Sequence, residues 1–246
     1  MVGCLVSLSH LGTDARTQWP AAGCGRLPGM PRSRAALRPA ARERAALADL
    51  LERSGPDAPT LCEGWATRDL AAHLVLRESR PDAAAGFTLA SLPLLRRRTE
   101  RAMRSAVRRP FDDLVRALRT GPPRLGPFSL PGADGLLHTA EMFVHHEDVR
   151  RAVEGWEPRR LYDEHEAALW GAAQATARHV LGRCPVGVVL VVPGGRRSKV
   201  HRGVPAVALT GPASELVLHL MGRRDQALVE VGGPAEAVEA YRTWLG

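Results

Sequence analysis

Aromatic residues are scarce, at 4% of the 246 residues, and lysine is nearly missing: Lys199 is the only one, so 33 of the 34 basic residues are Arg. With so few rings, a buried core has to rest on Leu, Val and Ala, and Ala-rich apolar faces suit helices packed closely together. The four cysteines, Cys4, Cys24, Cys62 and Cys184, form no CxxC pair. That scatter excludes a disulfide framework and fits a reducing cytoplasm. No apolar run approaches the ~20 residues of a membrane-spanning helix, so no membrane partner is expected. The stretch before Ala21-Ala22-Gly23-Cys24 contains Asp14, Arg16 and Gln18 and lacks a long apolar region, so an export signal is not expected either.

What is present is an ordinary globular balance, 45% hydrophobic and 24% charged. A chain of this length can bury a core without staples. Its formal charge is +8 and its pI about 10.5, which raises the question of nucleic acid. Many of the Arg alternate with acids on helical segments, as in Arg42-Glu43-Arg44 and Asp148-Val149-Arg150-Arg151, and read as solvated faces. One run is denser, Arg96-Arg97-Arg98 with Arg101 and Arg104. No zinc-finger spacing, RNA-recognition signature or aromatic interleaving accompanies it, so a basic nucleic-acid-binding protein is the weakest of the readings carried forward.

Residues 1–33 have no periodicity and recurrent Gly, Pro and Ser, and a disordered tail is expected there. From Ser33 onward Ala36, Leu37, Ala40, Leu47, Leu50 and Leu51 recur at helical spacing until Gly55-Pro56. A turn at Leu61-Cys62-Glu63-Gly64-Trp65 follows. Thr67 then reads as an N-cap with Asp69 in the first turn of a helix carrying Leu70, His73, Leu74 and Leu76. Further helices are expected over 90–120 (interrupted at Pro110), over 136–153 and over 163–182, with a Pro- and Gly-rich loop at 121–135. After that the texture changes. Strands are expected at 186–192, 204–209 and 228–231, with a turn at Pro193-Gly194-Gly195, a short helix at 214–221 and a closing helix at 234–245. The expected organisation is a helical domain over 34–182 and a small α+β domain over 183–246.

The segment richest in chemistry is His138-Thr-Ala-Glu141-Met-Phe-Val-His145-His146-Glu147-Asp148. Residues four apart lie one turn apart on the same side of a helix. Glu141 and His145 therefore aim a carboxylate and an imidazole at one point, as metal ligands in bundle cores do. His138 lies close to that face, and His146 points well round the helix. An isolated E-x-x-x-H is more often a surface pair, however. A lone His such as His73, set among Leu70, Ala71, Leu74 and Val75, is more often a hydrogen-bonded core residue. Spacing alone does not bring the two helices together.

The joint pattern goes further. Gly64-Trp65-Ala-Thr-Arg68-Asp69-Leu70-Ala-Ala-His73-Leu74, with the later His138-to-Arg150 segment, resembles the metal-binding domain of the mycothiol-dependent maleylpyruvate isomerase family, within the DinB-like superfamily. The resemblance spans about residues 35–182. It implies an up-down four-helix bundle followed by a small α+β domain, with His73, Glu141 and His145 as ligands of a divalent metal, usually zinc. It also implies mycothiol as cosubstrate and a small electrophilic substrate, in an isomerase or thiol S-transferase. A non-catalytic metal-binding or sensor protein of the same fold is the alternative. A His2Glu set leaves a coordination position open, as catalytic zinc sites do, while His138, His146, Glu147 and Asp148 are candidates to orient a ligand. Trp65 is expected to pack under the loop that delivers the His73 helix, and Cys62 to be a small buried hydrophobe. Arg223 and Arg224, which follow the short helix of the small domain, are expected to be solvated, with contact to an anionic substrate as the alternative.

Overall fold

The computed structural model describes residues 39–80, 92–122 and 136–246. The tail expected over 1–33, Cys4, Cys24 and most of the Pro- and Gly-rich loop lie outside these residues. The described residues form eight α-helices and one four-stranded sheet. They run as α1 (Pro39–Ser54), α2 (Thr67–Ser79), α3 (Pro93–Val107), α4 (Phe111–Thr120), α5 (Leu136–Arg150), α6 (Asp163–Val180), β1 (Gly187–Val191), β2 (Arg197–His201), β3 (Ala206–Thr210), α7 (Ala213–Leu220), β4 (Glu230–Gly232) and α8 (Ala235–Leu245).

Local chemistry accounts for most of the boundaries. Gly55, at φ 74°, takes the left-handed conformation that ends α1. Pro93 opens α3, where its missing N–H costs nothing, and Asp112 and Asp113 face the positive end of α4. One cap differs from expectation. Ala66, not Thr67, holds the N-cap position of α2, and its N–H donates to Asp69 Oδ2 at 3.0 Å. Thr67 begins the helix itself and donates its hydroxyl to the Gly55 carbonyl, tying the new helix to the end of α1.

The sheet has the order β2-β1-β3-β4, with β1 and β3 parallel and the outer pairs antiparallel. Strand β2 was not expected. Its Arg197, Ser198 and Lys199 read as loop, because an edge strand carries polar and charged residues that hide the alternation. Gly187 and Gly203 pass so closely that a Cβ on Gly187 would meet the Gly203 carbonyl oxygen at 2.4 Å, which is why neither position carries a side chain.

Two apolar cores result. Leu47, Leu51, Leu70, Leu74, Leu118 and Met142 are fully buried among α1, α2, α4 and α5. The sheet core extends from Val188 and Leu209 through Leu169 and Ala173 of α6 to Phe143 and Val144 of α5. Helix α5 is thus covered from both sides, by α1 and by α6. Every residue from His138 to Val149 is buried.

That coverage corrects the expectation of solvated charge. Glu43, Arg44, Glu147, Asp148 and Arg151 are all buried, because charge alternation along a helix does not reveal that both its sides are packed. Their charges are paired. Arg151 donates to Glu147 at 2.6 Å, to both oxygens of Glu215 at 2.9 and 2.6 Å, and to the Gln226 carbonyl. Arg159 bridges Glu147 (2.6 Å) and Glu43 (2.5 Å), and His146 Nδ1 lies 2.7 Å from Glu43. Burial would raise the Glu43 carboxyl, but the His146 hydrogen bond and the Arg159 charge bring it down to about 2. The network ties α1 and α5 to α7 and the turn after it.

Removing one member of a buried pair leaves the other charge uncompensated, at a cost of about 3–5 kcal/mol. Arg151→Met, which removes the guanidinium partner of the buried Glu215, is therefore expected to lower the unfolding free energy by that order in urea titration; a loss under about 1 kcal/mol contradicts the pairing. Acid should weaken the fold as well. Burial, with Arg224 nearby, lowers His219 from 6.5 to about 4, and burial lowers His146 and His165 too. The unfolded imidazoles take up protons that the folded ones refuse. Their contribution is complete above pH 6.5 and is lost as pH falls towards 4. The urea midpoint is expected to drop over that interval, and a flat midpoint between pH 7 and pH 4 contradicts the assignment.

Candidate metal centre

Helix α2 begins from a loop fixed at both ends of the turn. Gly64, at φ 73°, makes the reversal. The Trp65 N–H donates to the Cys62 carbonyl at 3.0 Å, and the Leu61 N–H reaches the Asp148 carbonyl of α5 at 2.9 Å. This last bond pins the start of the α2 hairpin to the end of α5, so that His73 on α2 faces His145 on α5 with ring centroids 5.3 Å apart. Trp65 lies against His73 itself, at 5.1 Å between centroids.

His73, Glu141 and His145 come together. One donor atom from each lies within 4.8 Å of the other two, and all three side chains are buried. Three ligands about 2.1 Å from a tetrahedral ion stand roughly 3.4 Å apart, inside the 4.8 Å that bounds the separations of this set. The chemistry of the set also suits a dication, with two imidazoles and one carboxylate. Burial, reinforced by the nearness of His145, Arg77 and Arg223, holds His73 well below its ordinary value against the pull of Asp148. It is neutral at pH 7, the form that ligates. Burial raises the Glu141 carboxyl, opposed chiefly by Arg77, whose guanidinium forms an ion pair with it.

A second group shares His145. Cys62, His145 and Asp148 also offer donor atoms within 4.8 Å of one another. Here Asp148 Oδ2 lies 2.9 Å from His145 Nδ1, and the Cys62 thiol donates to the same oxygen at 3.3 Å. Arg223 completes the cluster, with Nε 2.8 Å from Oδ1 and Nη2 2.6 Å from Oδ2. Burial alone would raise the Asp148 carboxyl, but Arg223 and the His145 hydrogen bond hold it well below the usual carboxylate range. Arg223 is therefore buried and paired, not solvated as expected. Cys62 is buried as expected, with a hydrogen-bonding role its sequence context did not signal.

The other candidates for orienting a ligand divide. Asp148 touches His145. His138 Nε2 lies 2.7 Å from Arg44 and 3.2 Å from Glu78, beyond Glu141 along α5. His146 and Glu147 face away, into the network with Glu43, Arg159 and Arg151. Arg96, Arg97, Arg98, Arg101 and Arg104 on α3 are exposed. Among the described residues no helix is long and apolar enough to cross a membrane.

No family model matches the chain, and no curated protein sequence matches it. Solved structures do resemble it. The crystal structure of a mutant of the mycothiol-dependent maleylpyruvate isomerase has a TM-score of 0.55 at 15% identity, covering 80% of this chain and 92% of that one. The crystal structure of the mycothiol-dependent maleylpyruvate isomerase has a TM-score of 0.52 at 16% identity, covering 80% and 90%. At these identities the likeness is one of fold.

Proposed function

We propose that His73, Glu141 and His145 hold one divalent metal ion, zinc by the nature of the ligands, in a DinB-like four-helix bundle. The chain then acts as a mycothiol-dependent isomerase or thiol S-transferase on a small electrophilic substrate in the cytoplasm. The observation that carries this reading is the convergence of one donor atom from each of three buried side chains within 4.8 Å. The fold shared with the mycothiol-dependent isomerase structures supports the choice of thiol, as an argument by analogy.

A dication held by two neutral imidazoles and one carboxylate keeps about one positive charge and an open position, which favours a bound thiolate over the thiol. The chain supplies the rest. Glu141 provides the single negative charge among the ligands, and its pairing with Arg77 restrains the carboxylate. The Trp65 ring, packed on His73, shields one side of the imidazole from water. Burial keeps His73 neutral and so ready to donate its lone pair.

Metal analysis of the purified chain is expected to find about one zinc per molecule, and His145→Ala to lose most of it. Full stoichiometric zinc in that variant contradicts the ligand assignment. Turnover of maleylpyruvate or a related electrophile with mycothiol separates the enzyme from a metal-binding or sensor protein of the same fold, which binds zinc without turnover. Absence of zinc, together with strongly salt-dependent nucleic-acid binding, is the outcome that favours the basic nucleic-acid reading.

A further inference from the structure

The cluster of Cys62, His145 and Asp148 has ligating groups at metal-like separations, yet its cationic position is already filled. The Arg223 guanidinium makes two bonds to the Asp148 carboxylate, at 2.8 and 2.6 Å. It also donates to the Met221 carbonyl at 2.6 Å and reaches Cys62 Sγ at 3.6 Å. What the cluster offers His145 is orientation. An ionised carboxylate only accepts, so the 2.9 Å contact between Asp148 Oδ2 and His145 Nδ1 puts the proton on Nδ1. The lone pair is then left on Nε2.

Resting on the reading of His145 as a ligand, we propose that Asp148 is the positioning residue of the metal centre. It holds the His145 ring and tautomer only while Arg223, from the segment after α7, is docked on it. Packing of the C-terminal segment against α5 thereby sets metal occupancy. Three features support the coupling. The Arg223 backbone N–H bonds the Leu218 carbonyl at 2.9 Å, which ties Arg223 to the end of α7. Helix α7 is itself clamped to α5 through Glu215 and Arg151 at 2.6 Å. Asp148 is fully buried, and Arg223 is the cation paired with it. A carboxylate that fixes a ligating imidazole in this way typically accounts for roughly 10–100-fold in metal affinity.

The test is zinc affinity of the full-length apo chain, measured by competition with a chromogenic chelator, with the visible spectrum of the cobalt-loaded protein as a second readout. Asp148→Asn offers an amide donor to Nδ1 and moves the proton to Nε2. It is expected to weaken zinc by roughly 10–100-fold and to change the cobalt bands. Arg223→Met is expected to do the same, and Arg223→Lys, which keeps one charged contact, to recover part of the loss. Arg159→Met, which breaks the pairs with the buried Glu43 and Glu147 without touching α7 or the His145–Asp148 pair, controls for general destabilisation and is expected to stay within about twofold of the unaltered chain. If Asp148→Asn does not fold, the two Arg223 variants and the control still decide the matter. Folded Asp148 or Arg223 variants with unaltered zinc affinity overturn the proposal, as does an equal loss in Arg159→Met. A chain that binds no zinc at all overturns the metal reading and this inference together, a different pattern from tight binding that ignores Asp148.

Discussion

The Asp148 carboxylate, with no exposure to solvent, is the point on which the arrangement turns. Its side chain answers His145, Cys62 and Arg223, and its backbone carbonyl accepts the Leu61 N–H. One residue of α5 therefore meets the loop that launches α2, the segment that follows α7, and the imidazole facing His73. A buried anion has to find partners or be protonated. Here, besides His145 on the same helix, the partners come from two separate stretches of chain, and satisfying Asp148 brings both to α5.

The same constraint runs along the rest of α5. Its polar residues lie inside the protein because α1 and α6 cover it from both sides. Glu141 finds Arg77, His146 finds Glu43, and Glu147 finds Arg151 and Arg159. Buried ion networks are weak grounds for stability, since well-packed apolar replacements often do as well. What pairing supplies is register: each carboxylate and guanidinium has one place where it is satisfied, so the helix cannot rotate or slide without stranding a charge. A site that needs three donor atoms within a few ångströms benefits from that rigidity.

Much of this was legible in the sequence, and most of the failures share a cause. The i,i+4 spacing of Glu141 and His145, with the Gly64-Trp65 turn before His73, pointed to three residues that do converge. Helix boundaries followed from Gly55 and Pro110. Apart from the N-cap of α2, which is Ala66 and not Thr67, the misreadings concern charge. Arg42-Glu43-Arg44, Arg150-Arg151 and Arg223 resemble solvent-facing patterns, because alternation records which residues are polar and not which partners they meet across more than a hundred positions. Strand β2 was overlooked for a related reason, since its polar residues suit a sheet edge and erase the apolar pattern. Arg223 carried no local signal at all; its partner is 75 residues away.

The most direct measurement of the central claim is the zinc-edge X-ray absorption spectrum of the zinc-loaded chain in thiol-free buffer. Two imidazole nitrogens and a carboxylate oxygen at ~2.0–2.2 Å, with no sulfur in the shell, is the result expected of His73, Glu141 and His145. A zinc–sulfur distance near ~2.3 Å would place the ion on the Cys62 side of His145 and contradict the account.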